Sequence, residues 1–138
     1  MTIKRIVVFV LLVVIIGSCL FVNENLSKNT GAFDNINEAK VTFKYNEYSF
    51  TSELSNTEIS SICNVFSNRR LYRDFLPACG FTKDISVCLN NSMTFCIATD
   101  CCPKIYWVEK RKYFRIPEKE KKQLHKILEK HGFFFPCV

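Results

Sequence analysis

Glycine and proline are scarce in this chain, four of each in 138 residues, which excludes collagen-like repeats and Pro/Gly-rich low-complexity architectures. Histidine is scarcer still, with only His125 and His131. Standing six apart, they point about 240° away from one another around a helix, so they cannot share one ligand face. No C-x-x-C pair, Gly-rich phosphate loop, Ser-His-Asp order or pair of neighbouring catalytic carboxylates occurs. These absences remove the usual signatures of oxidoreductases, nucleotide binders and hydrolases, and no catalytic residue and no cofactor is expected. An apolar content of 48% and a charged content of 23% match globular averages and leave room for one domain.

The one long apolar run lies at the amino end. Lys4 and Arg5 precede an unbroken apolar stretch from Ile6 to Ile16, followed by Gly17, Ser18 and Cys19. A cationic start and an apolar stretch read as an export signal, which places the remaining residues on the extracytoplasmic side of the cell membrane. A soluble core helix would carry a polar face, and this stretch has none.

The segment Ile16-Gly17-Ser18-Cys19 is similar to the lipobox of bacterial lipoproteins. With its short Lys/Asn/Ile-rich remainder, the chain resembles the small uncharacterised lipoproteins of low-GC Gram-positive bacteria. That resemblance implies cleavage before Cys19 and lipidation of its sulfur, and it carries no activity and no further site residue to the domain. Several acyl chains together anchor stably where one is marginal. Alternatively the run continues through Leu20-Phe21-Val22, giving 17 residues from Ile6, just long enough for an uncleaved signal anchor. A released, secreted chain is the third reading.

Three parts follow: residues 1–22 as signal peptide or anchor, 23–38 as a flexible tether dense in Asn, Ser and Thr, and 39–138 as the domain. Within the domain, Val41, Phe43 and Tyr45 alternate, as do Tyr48 and Phe50 beyond Asn46-Glu47. A hairpin setting Tyr45 opposite Tyr48 and Phe43 opposite Phe50 follows, its aromatic face turned inward. Ser55-Asn56-Thr57-Glu58 fits a capping box opening a helix with Ile59, Ile62, Cys63 and Phe66 as its buried stripe. Two more strand pairs, at 84–98 and 105–116, precede a last helix opened by Pro117 and closed by Gly132, and an apolar tail, Phe133 to Val138, that should dock on the sheet. The predicted class is α+β: an antiparallel sheet of about five to six strands with two helices on one face, preceded by an apolar amino-terminal helix.

With Cys19 assigned to lipidation, seven cysteines remain: Cys63, Cys79, Cys88, Cys96, Cys101, Cys102 and Cys137. Outside the cytoplasm thiols tend to pair, and spacing leaves the connectivity open. Cys63 is expected to be a core residue. The expected clasp joins Cys79 or Cys137 to Cys101 or Cys102. A metal site would draw on Cys96, Cys101 and Cys102 with Asp100 or Cys79, but without ligand-pair spacing none is expected.

The ten basic and four acidic residues between 104 and 131 account for the whole net charge of +6. Export argues against nucleic acid. The partners expected for Lys110, Arg111, Lys112 and Arg115 are instead anionic lipid, an acidic cell-wall polymer or an acidic protein, set against the simpler reading of a solvated turn. His131, near the carbonyl pole of the last helix, is explained by the helix dipole. The reading is a membrane-tethered, extracytoplasmic domain acting without catalysis as a binding or accessory module. The alternative is a thiol-dependent enzyme or redox sensor using Cys101 or Cys102.

Overall fold

Alternating apolar residues and left-handed asparagines set the strands and their turns. The structure is a computed structural model and describes residues 3–26, 28–75, 77–100 and 102–133, with the side chains of the first stretch described from 6 to 18. Ala39–Tyr45 (β1) and Tyr48–Glu53 (β2) form one hairpin, Ile85–Leu89 (β3) and Met93–Ile97 (β4) a second, Lys104–Trp107 (β5) and Lys112–Arg115 (β6) a third. They join in one antiparallel sheet of order β2-β1-β3-β4-β5-β6. The helices are α1 (Ile3–Leu26), α2 (Asn56–Phe66) and α3 (Glu118–Lys130), so the class is α+β. Asn90 and Asn91 both take positive φ, 47° and 52°, which closes the second hairpin as a type I′ turn that Asn tolerates better than other non-glycine residues.

One face of the sheet carries Val41, Val87, Phe95, Ile105, Trp107 and Phe114, which are buried in one cluster with Ile59, Ile62, Val65 and Phe66 of α2 and Leu124 and Leu128 of α3. Both helices therefore cover the same face. The opposite face is covered by the segment between α2 and β3: Phe81 meets the rings of Tyr106 and Tyr113, and Tyr72 exchanges two backbone hydrogen bonds with Tyr113. That bridge occupies part of the outer edge of β6, which would otherwise offer free pairing groups. Trp107 and Tyr113 are both buried, on opposite faces.

The first hairpin has the expected register, with Tyr45 opposite Tyr48 and Phe43 opposite Phe50. Its aromatic face is not turned inward. Tyr45 is 79% and Tyr48 81% exposed, Phe50 is exposed as well, and Phe43 alone is buried. The reason is position: β2 is the edge strand, and the apolar cluster under the helices takes no residue from it. On α2 the capping box forms, with Ser55 N–H donating to Glu58 Oε2 at 2.9 Å, while Cys63 is only half-buried beside the core. Gly132, at φ 91°, supplies the left-handed cap beyond α3.

Residues 23–38 also depart from expectation. α1 runs to Leu26, and part of the segment beyond it is packed rather than a free tether. Asn29 is buried, donating from Nδ2 to the Phe66 carbonyl at 2.7 Å and accepting from Arg69 N–H at 2.6 Å. Phe33 is buried between Phe66, Phe95 and Trp107, at centroid distances of 6.1, 5.7 and 5.8 Å. Asn90 accepts from the N–H groups of Asn37 and Glu38 and donates to the Asn35 carbonyl. The polar composition that suggested disorder is spent on specific hydrogen bonds.

In α1 every side chain from Ile6 to Ile16 is exposed, between 48% and 63%. Among the described residues no helix is long and apolar enough to cross a membrane; the described side chains of α1 end at Ser18. Cys101, Cys137 and the rest of the tail beyond Phe133 lie outside the described residues, as does the side chain of Cys19. Phe133 stacks on Phe43 at 4.9 Å. Because Phe33 is a core residue, Phe33→Ala should destabilise the protein by about 3–5 kcal/mol. Urea unfolding measures it, and a midpoint equal to that of the parent protein would mean that residues 28–38 are a free linker after all.

Candidate functional site

Asp100 and Cys102 belong to the loop that carries the chain from β4 into β5. The Pro103 carbonyl next to Cys102 accepts Ile116 N–H at 2.9 Å, and Asp100 Oδ1 accepts Cys102 N–H at 3.2 Å. Facing this loop is the segment that covers the Tyr106–Tyr113 side of the sheet. Tyr72 pins it at one end, Lys104 Nζ reaches Asp74 Oδ2 at 2.6 Å, and Lys44 N–H donates to the Asp84 carbonyl at 2.7 Å at the other end. The middle of this segment brings Cys79 to the loop.

The sulfurs of Cys79 and Cys102 and a carboxylate oxygen of Asp100 lie within 4.8 Å of one another. Both thiols are half-buried and unbridged, and Asp100 is exposed. The hydrogen bond with Cys102, together with burial and the neighbouring Asp100, pushes the Cys79 thiol up to about 12. A thiol held protonated is a poor nucleophile. Burial also raises the thiols of Cys63 and Cys96, which fits them as inert packing residues. Of the expected clasp partners the described residues hold one pair, Cys79 with Cys102. Of the residues weighed for a metal, Cys79, Asp100 and Cys102 meet. Cys96 instead sits buried in β4, beside Tyr106 in the register.

Two other features bear on function. His131 closes α3 with its ring between Ser52 Oγ, 2.7 Å from Nδ1, and Glu58 Oε2, 3.2 Å from Nε2. Glu58 is buried at the start of α2 and also receives Lys130 Nζ at 2.7 Å. The helix dipole is thus not the whole account of His131, whose partners lie 79 and 73 residues away in the chain. A cavity of about 710 Å³, within the range of small-molecule pockets, is lined by Phe43, Lys44, Tyr45, Ile85, Gly132 and Phe133 along with Thr99. Sequence reasoning missed both, because each assembles residues from distant strands and helices.

The basic residues do not form one patch. Lys110, Arg111 and Lys112 share the β5–β6 turn, with Lys110 Nζ 5.7 Å from the centroid of the Trp107 ring. Arg115 lies opposite Lys104 at the far end of β6, roughly 10 Å from Lys112 at strand rise, and lines a shallow cleft with Arg69 and Pro103. Arg69 is itself paired with Glu120.

Comparison with known proteins adds no relative: no family model, no curated protein and no solved structure matches this chain.

Lys130, the backbone and hydroxyl donors of Ser55, and His131 hold the Glu58 carboxyl down to about 2, below its ordinary 4.5. The folded state binds this proton less readily than the unfolded chain. Its contribution is therefore complete above pH 4.5 and is lost as pH falls toward 2. Glu58→Gln should lower stability by about 1–2 kcal/mol at neutral pH through the damaged cap. Thermal melts from pH 7 to 2.5 should also show a shallower acid loss for the variant than for the parent.

Proposed function

We propose that the protein is exported, stays attached to the cell membrane through its amino-terminal segment, and presents the α+β domain on the extracytoplasmic side as a non-catalytic binding module. The single observation that carries this reading is the exposure of all eleven side chains from Ile6 to Ile16 beside a domain that has a complete core of its own. An apolar surface running round a whole helix finds no favourable place in water. The lipobox-like Ile16 to Cys19 favours a diacylglyceryl thioether on Cys19 as the anchor.

The binding role rests on surface chemistry. Lys110, Arg111 and Lys112 crowd one turn and suit an anionic lipid surface or acidic polymer, and the exposed rings of Tyr45 and Tyr48 stand at the sheet edge beside the apolar cavity. Arg115 is no part of that turn. A thiol-dependent sensor is the second reading, favoured by the closeness of Cys79 and Cys102. Brief alkylation at pH 7 separates the two readings. One fast-reacting thiol among Cys101 and Cys102 supports the sensor, and uniformly slow thiols support the non-catalytic module.

Intact-mass analysis of the membrane-extracted protein should give a chain that begins at Cys19 and carries acyl mass. A full-length, unacylated chain in the membrane would leave the tether standing but replace the lipid by an uncleaved anchor, and a full-length chain in the soluble cytosolic fraction would refute the proposal. Reversing Lys110, Arg111 and Lys112 to Glu should weaken adsorption to vesicles rich in anionic lipid by roughly a hundredfold, at about 1 kcal/mol for each basic residue lost near the surface. The parent's adsorption should fall with added salt. Sedimentation of the vesicles measures both.

A further inference from the structure

We propose that Cys79, Asp100 and Cys102 form a zinc site that fastens the segment between α2 and β3 to the β4–β5 loop. Two sulfurs and one carboxylate oxygen lie within 4.8 Å of one another on two separate chain segments. Tetrahedral zinc with Zn–S bonds of about 2.3 Å places two sulfurs about 3.8 Å apart, so the sulfurs need to draw in by about an ångström or less. Thiolate is a soft ligand and selects zinc over calcium or magnesium, which take oxygen donors only. Three donors among the described residues leave a fourth position open.

The surroundings fit a cation better than a simple bridge. A disulfide joins two sulfurs, needs an oxidant, and makes no use of a carboxylate placed against both. A divalent cation uses all three groups, the two thiols giving up their protons as it binds. The Cys102 N–H bond to Asp100 Oδ1 fixes the carboxylate beside the sulfur, the kind of outer hydrogen bond that orients metal ligands. Lys104, in electrostatic reach of Cys102 and paired to Asp74, offsets part of the charge left after zinc binds. The donors are half-buried to exposed, so a metal can enter without unfolding the core.

The test uses the full chain, reduced and stripped of metal in detergent, and titrates it with cobalt(II), which reports thiolate ligation by charge-transfer absorption. One cobalt per chain should bind with a strong sulfur-to-metal band, and zinc should displace it. Cys79→Ser and Cys102→Ser should each abolish the band, and Asp100→Asn, at an exposed position that does not threaten folding, should weaken binding at least about tenfold. Cys63→Ser should leave it intact. The proposal is overturned if the reduced chain binds no cobalt, if Asp100→Asn and Cys79→Ser bind like the parent, or if the protein isolated from membranes contains a Cys79–Cys102 disulfide.

Discussion

The burial of Phe66 is the constraint on which the rest of the molecule depends. This side chain, at the last turn of α2, is fully buried against Phe95 of β4 and Phe114 of β6, at centroid distances of 4.9 and 5.4 Å. One ring therefore fixes the helix over strands two apart in the sheet, with β5 between them. Its carbonyl, at the end of the helix where no intrahelical donor remains, is taken by the Asn29 amide. Phe33, four residues on, then closes over the same rings. The helix end, the leading segment and the β4–β6 part of the sheet are thus held by one packed group. Aromatic pairs of this kind add to burial through the geometry of their quadrupoles.

Local pattern carried the elements well and their partners poorly. The register of the β1–β2 hairpin, the cap of α2 and the glycine beyond α3 all follow from residues within a few positions of each other. Whether an alternating strand is buried depends on its place in the sheet, and that is a long-range property: β2 reads like a core strand, yet it is the outermost one. Asn29 and Asn90 show the same limit from the polar side. Asparagine-rich sequence is the composition of loops, but both amides are consumed by backbone groups some 37 to 55 residues away. Composition cannot distinguish a solvated amide from one that caps another segment.

The candidate site was legible only in part for the same reason. Cys79 and Cys102 were both among the candidates for a clasp, and Asp100, two residues before Cys102, was among those weighed for a metal. The choice of Cys79 with Cys102 depends on how the segment from Tyr72 to Asp84 crosses the sheet, which is settled by Phe81 on Tyr106 and Tyr113 and by Asp74 on Lys104. His131 and Ser52 could not be joined on paper, since neither position carries a local signal for the other.

Stability in this fold is unevenly shared between the two faces of the sheet. The helix-covered face holds nearly all of the large buried apolar side chains, so its cohesion follows from area removed from water. The other face is covered by a segment whose described residues between Arg73 and Asp84 form no helix or strand and are held by ring contacts, the Lys104–Asp74 ion pair and backbone bonds at its ends. Closing an irregular segment costs chain entropy that rises with its length. A metal link in the middle of that segment, where Cys79 meets Asp100 and Cys102, would add its binding free energy to the folded state alone, at the stretch farthest from the ties at either end. The chemistry of the three donors and the weakness of the surrounding packing therefore point to the same place in the molecule.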